Sequence, residues 1–208
     1  MVVTVRLPHT LGDEMYHVPA IQALARGAPL PRELPMFPTY HWLAALPARW
    51  FGTELWMLRL FQGAVAVAAF LLYQALFRLR YPEAGGDRLL LLAWNPLVFP
   101  FFVLVYTDVA ALTALLAGVY FQLRGRHLLA AGTLLLACLL RQSNLLWIVF
   151  LAAWRIADLW STDGSNEGVL RQFGALVRRE RLWLHGLVLA IGAGVLVWCG
   201  GVVHAPFM

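Results

Sequence analysis

The sequence predicts an all-α fold: a polytopic transmembrane helical bundle with about six spans and a helical exterior N-terminal segment. Three observations carry this reading. Of the 208 residues, 61% are apolar and only 13% are charged, whereas an ordinary soluble domain is roughly 45–50% apolar and about 25% charged. The apolar residues are gathered into blocks rather than into helix stripes or strand alternation, as lipid contact on several sides demands. All 16 basic residues are arginine, and most of them flank the blocks, where they act as determinants of topology. No basic stripe interleaved with exposed aromatics appears, so the net charge of +5 does not point to a nucleic acid.

Taken in order, residues 1–208 read as a single membrane domain whose first part, 1–53, is an exterior segment with short interfacial helices. The opening MVVTVRLPHTLGDE has no apolar core of the length a cleavable signal needs. Val18, Ile21 and Leu24 then recur at helical spacing, with Asp13 and Glu14 at or before the helix start. A second short helix is expected in FPTYHWLAALPARWFG, whose aromatic residues suit the headgroup level.

The core spans occupy 54–160, with blocks at 55–77, 89–105, 108–123, 127–141 and 144–160. A spanning helix needs about 20 residues, so several of these are short and are expected to continue through brief turns or to enclose polar sites. Residues 161–183 open with turn formers and become an amphipathic, arginine-rich run, read as a cytoplasmic interfacial helix on anionic lipid. The last span is 184–203. With the N-terminus outside, nine arginines fall on the cytoplasmic side: Arg78, Arg80, Arg88, Arg124, Arg126, Arg171, Arg178, Arg179 and Arg181. Cys138 and Cys199 both lie in apolar blocks, where they pack as small hydrophobes and imply neither a disulfide nor a metal.

Three polar interruptions carry the chemistry. The adjacent acids Asp13 and Glu14 are followed by His17; acids in a first helical turn also favour the positive end of the dipole, which is the plainer account. Asp108 follows Tyr106 and Thr107 between two spans, where a carboxylate is costly unless it faces water, a partner or a ligand. Arg141, Gln142, Ser143 and Asn144 lie where two more spans meet. In the proposed topology all three interruptions emerge on one side. Carboxylates there suit proton abstraction and an arginine suits paired phosphate oxygens; the alternative for Arg141 is an internal ion pair with Asp108. His41, in the second short helix, suits a phosphate or sugar hydroxyl, against the plainer role of satisfying a local hydrogen bond.

The stretches DEMYHVPAIQALARG at 13–27, FVLVYTDVAALTALLAG at 102–118 and LLRQSNLLWIVF at 139–150 together resemble the dolichyl-phosphate-glucose-dependent α-1,2-glucosyltransferases, a family of GT-C-type membrane glycosyltransferases. The resemblance covers about residues 11–160. It departs where the family carries a transmembrane helix ahead of the acidic pair, a longer chain, and a threonine- and proline-rich patch that is PMFPTYHWL here. The sequence is thus expected to be a fragment of a longer protein or a divergent prokaryotic-type relative.

The resemblance implies transfer of a hexose, glucose by preference, from a polyprenyl-phosphate donor to a lipid-linked glycan, with inversion. Asp13 would be the general base and Glu14 would orient it or the acceptor; His17, His41, Asp108, Arg141, Gln142 and Asn144 would contact substrate. No cofactor is called for, and the acids leave room for a divalent cation without a distinctive ligand spacing. The implied partners are the donor, the acceptor, membrane lipid and a missing remainder of the same protein. The compartment would be the plasma membrane in a prokaryote and the endoplasmic reticulum membrane in a eukaryote. Two other classes compete: a secondary transporter, which would gather polar residues near the bilayer midplane, and a non-catalytic membrane fragment or assembly subunit.

Overall fold

The computed structural model describes residues 9–30, 37–83, 93–95, 99–162, 181 and 183–198. Within them the chain is all-α: α1 (Glu14–Ala25), α2 (Thr39–Phe51), α3 (Leu55–Arg80), a 3₁₀ turn (Phe99–Phe102), α4 (Thr107–Leu123), α5 (His127–Leu140), α6 (Asn144–Thr162) and α7 (Trp183–Trp198). The amphipathic run expected at 161–183 lies almost wholly outside the described residues.

Among the described residues one helix, α3, is long and apolar enough to cross a membrane. Only 28% of its most apolar window is buried, which sets it apart from the core helix of a soluble protein. Leu60, Val67 and Leu71 stand out on its open surface, which is costly in water and favourable in lipid. Thr107–Leu123, His127–Leu140, Asn144–Ala157 and Trp183–Val197 are shorter apolar helices.

The breaks between the short helices have local causes. Gly125 takes a positive φ of 69° between α4 and α5, a conformation glycine adopts without steric cost. That turn lets α4 and α5 run antiparallel and close, for a Cβ on Gly118 would meet Leu134 Cδ2 at 2.6 Å. At the other end of α5, Arg141 is extended and Asn144 Nδ2 donates to Ala137 O at 2.9 Å, satisfying one of the carbonyls that a helix end leaves open.

The block expected as a span at 89–105 departs from that expectation. Its described part is not one helix: Asn95 lies outside any helix, Phe99–Phe102 is a 3₁₀ turn, and Val105 and Tyr106 are not helical. Proline explains this. Asn95 precedes Pro96, which biases it away from helical backbone, and Pro100 brings no N–H to the turn. The open backbone of Val105 and Tyr106 is then free to bond elsewhere.

A core rich in alanine joins the first two helices to the bundle: Val18 and Ile21 of α1, Ala44, Ala45 and Ala48 of α2, Leu58 of α3, Ala111 and Ala114 of α4, and Ala137 of α5. Small residues let the helix backbones approach, as is common between membrane helices. A second cluster of Leu134, Cys138, Ile148 and Val188 joins α5, α6 and α7. Because α3 starts and α5 ends beside α1, this end of the bundle gathers Asp13, the 99–108 segment and the 141–144 turn. Arg78, Arg80, Arg124 and Arg126 lie toward the opposite end.

Candidate functional site

The acidic pair divides its work. Glu14 is fully buried and binds Arg59 of α3 through two bonds, Nε to Oε1 at 3.0 Å and Nη2 to Oε2 at 2.5 Å. Its remaining valences accept the N–H of Val105 on Oε1 and that of Leu11 on Oε2, each at 2.9 Å. Arg59, also fully buried, donates from Nη2 to His9 O at 2.9 Å. A buried pair survives only when such hydrogen bonds offset the loss of water, and here they lock the start of α1 to α3 and to the broken 99–106 segment.

A neutral relay reinforces the lock. Tyr40 Oη donates to Gln62 Oε1 at 2.9 Å, and Gln62 Nε2 donates to Tyr106 O at 3.1 Å and to Phe101 O at 3.3 Å. Tyr106 Oη in turn accepts the N–H of Asp13 at 2.8 Å. Gly12, at φ 57°, passes beneath this tyrosine, and a Cβ there would collide with its hydroxyl. The backbone on both sides of Asp13 is therefore fixed.

Asp13 itself is exposed. It occupies the N-cap position of α1 yet makes no side-chain cap hydrogen bond, so its carboxylate is not spent on the helix. It lines a cavity of about 800 Å³ together with His17, Tyr106, Thr107, Asp108, Arg141 and Gln142. Phe37, Phe101, Leu140, Leu145, Leu146 and Leu196 supply an apolar wall. The three polar interruptions of the sequence thus meet in one space.

Asp108 and Arg141 form an ion pair across that cavity, Oδ1 to Nη1. Asp108 sits in the first turn of α4, where the helix dipole favours a negative charge. The side chains are 35% and 47% exposed, and pairs so open to water contribute about 0–1 kcal/mol. Exchanging Asp108 for another anion would therefore cost Arg141 little.

The other expected contacts are sorted by depth. Gln142 lines the cavity, while Asn144 is buried and engaged with the end of α5. His17 lines the cavity, and His41 is fully buried with its Nε2 3.0 Å from His17 Nδ1. Burial lowers both imidazoles' proton affinity. His41 is held down to about 3, with the neighbouring His17 adding to the effect; for His17 the carboxylates of Asp13 and Glu14 oppose the shift without reversing it.

This depression predicts a pH dependence. Between the ordinary histidine value of 6.5 and about 3, the unfolded state binds a proton that folded His41 refuses, so stability must fall as pH falls. The slope is about 1.4 kcal/mol per pH unit for each such histidine. Thermal unfolding of the detergent-solubilised protein should show a midpoint that drops from pH 7 to pH 5. His41→Gln should flatten that profile, and an unchanged profile would remove His41 as its cause.

Sequence reasoning missed Arg59 and Gln62, which organise the site from inside α3. A charged residue within an apolar block was the available signal, since such a residue needs a partner. Among the described residues no three His, Cys, Asp or Glu side chains are grouped as a metal ion would require.

The profile of the DIE2/ALG10 family matches residues 7–203. The chain is also similar to an Arabidopsis thaliana protein, Dol-P-Glc:Glc(2)Man(9)GlcNAc(2)-PP-Dol alpha-1,2-glucosyltransferase, at 40% identity over 78 residues. That stretch makes up 38% of this chain and 15% of the relative. No solved structure matches.

Proposed function

Because the chain belongs to the DIE2/ALG10 family, we propose that its cavity serves transfer of a hexose, glucose by preference, from a polyprenyl phosphate to a lipid-linked glycan. The observation that carries this reading is the uncommitted carboxylate of Asp13 lining the same cavity as the Asp108–Arg141 pair.

In this reading Asp13 accepts the proton of an acceptor hydroxyl as its oxygen attacks the anomeric carbon. The bond from that carbon to the phosphate oxygen breaks, the configuration inverts, and polyprenyl phosphate departs with the electron pair. Arg141 leaves Asp108 to meet the phosphate, and a cation at the leaving oxygens stabilises the charge that develops there. Glu14 acts as a positioning residue: through Arg59 and Val105 it holds the start of α1 so that Asp13 faces the cavity. The apolar wall from Phe101 to Leu196 suits the first isoprene units.

The proposed orientation places this end of the bundle outside and the arginine-rich end in the cytoplasm. The polar groups that line this cavity gather at one helix end rather than at mid-helix, which suits a lipid-borne substrate better than a transport path.

The test is transfer by the full-length protein in lipid nanodiscs, supplied with polyprenyl-phosphate glucose and a lipid-linked oligosaccharide. The expected result is an acceptor longer by one hexose. Absence of transfer from every polyprenyl-phosphate hexose, with solute flux in proteoliposomes, would replace this reading by the transporter.

A further inference from the structure

The two histidines behind the cavity carry information that their distance alone does not. His41 is neutral near neutral pH and so holds one ring proton, on Nε2 or on Nδ1. Its Nδ1 is buried and has no hydrogen-bond partner. A proton there would be an orphaned buried donor, a state proteins rarely tolerate, whereas an unmatched acceptor is met more often. The proton therefore belongs on Nε2, the nitrogen 3.0 Å from His17 Nδ1, and points at His17. Since His17 Nδ1 must then accept, the single proton of a neutral His17 lies on Nε2. His17 lines the cavity, and its ring makes no other hydrogen bond among the described residues.

We propose that His41 is a positioning residue that fixes the tautomer of His17, so that His17 offers a neutral Nε2–H donor to a sugar or phosphate oxygen in the cavity. This deepens the transferase reading and rests on it for the identity of the ligand. The ring contacts agree with a fixed orientation. His17 meets Tyr40 and Tyr106 edge-on, each at 5.9 Å between centroids, and lies tilted on His41 at 5.1 Å. With three rings about it, His17 has little freedom to flip, and only the proton position remains to be chosen. Which ring nitrogen is protonated is set by the bond that the other one makes. A donor of this kind, lining the same cavity as Arg141, binds oxygen ligands and offers nothing to a ligand group that can only donate.

The experiment uses the full-length protein in nanodiscs with ¹⁵N-labelled histidine. Ring nitrogen shifts should show His17 protonated on Nε2, and His41 protonated on Nε2 with a bare Nδ1. Protonation of His17 on Nδ1 would overturn the proposal whatever the variants do.

In the second arm, the dissociation constant of a short-chain prenyl-phosphate glucose is measured for wild type, His41→Phe and His41→Gln. Phenylalanine frees the His17 tautomer, and the constant should rise about tenfold, in keeping with loss of one well-placed hydrogen bond. Glutamine, whose amide can donate to Nδ1, should restore most of the affinity. A purely structural His41 would instead leave both variants alike, and equal affinities in the three proteins would sink the substrate contact. Wild-type protein that binds the probe with the assigned tautomer but transfers no sugar would reject the transferase reading and leave this inference standing.

Discussion

Arg59→Met should lower the stability of the folded bundle by about 3–5 kcal/mol, the usual cost of leaving one member of a buried ion pair without its partner. The Glu14 carboxylate would keep the N–H groups of Leu11 and Val105 but lose both guanidinium bonds, in a place from which water is excluded. Glu14→Met alone should be as damaging, since it strands the cation instead. The double variant removes both charges and should recover a large part of the loss, because the desolvation cost disappears with the pair. Thermal unfolding of the four proteins in one detergent gives the coupling directly. Single variants as stable as wild type would show that the pair does not hold α1 against α3.

That pair also marks where sequence reading stopped. Adjacent residues on a helix project about 100° apart, so Asp13 and Glu14 point in different directions. The sequence alone does not say which faces out. The answer depends on Arg59, 45 residues further along the chain, in a helix whose apolar pattern reads as a plain span. Once a cation inside an apolar block is taken as a demand for a partner, Glu14 is the natural candidate, and the outward acid is then Asp13.

The meeting of Asp13, Asp108 and Arg141 was legible for a simpler reason. Each interrupts an apolar run near a predicted helix end, and short antiparallel helices bring alternate ends together. The same logic placed the boundaries of α4 and α5 within a residue or two, through the turn at Arg124 to Arg126 and the one after Leu140. It did not carry over to the described part of 89–105, which is not one helix and where hydropathy outweighed Pro96 and Pro100. The prolines decide the backbone there, and the open segment they leave supplies the N–H of Val105 to Glu14 and the carbonyl of Tyr106 to Gln62. Gln142 and Asn144 were indistinguishable by type; only the turn geometry turns one toward the cavity and the other back onto α5.

The same separation of roles makes Asp13→Asn the decisive substitution. Asparagine has nearly the size of aspartate and keeps the backbone N–H that Tyr106 Oη accepts at 2.8 Å. The native carboxylate makes no cap bond, so the change removes no helix-stabilising contact, and thermal stability should stay close to that of wild type. What is lost is basicity. A side-chain amide cannot take the proton of an attacking hydroxyl, and general-base assistance is typically worth about 10²–10⁴-fold in rate. The expectation for the full-length enzyme is a fall of that size in kcat for hexose transfer, with donor affinity nearly unchanged, because Arg141 and His17 still line the cavity. Glu14→Gln is the matching control: it weakens the buried lock and should lower stability and activity together. If Asp13→Asn transfers at the wild-type rate while folded, Asp13 is not the base. The task would then pass to Asp108, whose carboxylate shares the cavity but is tied to Arg141.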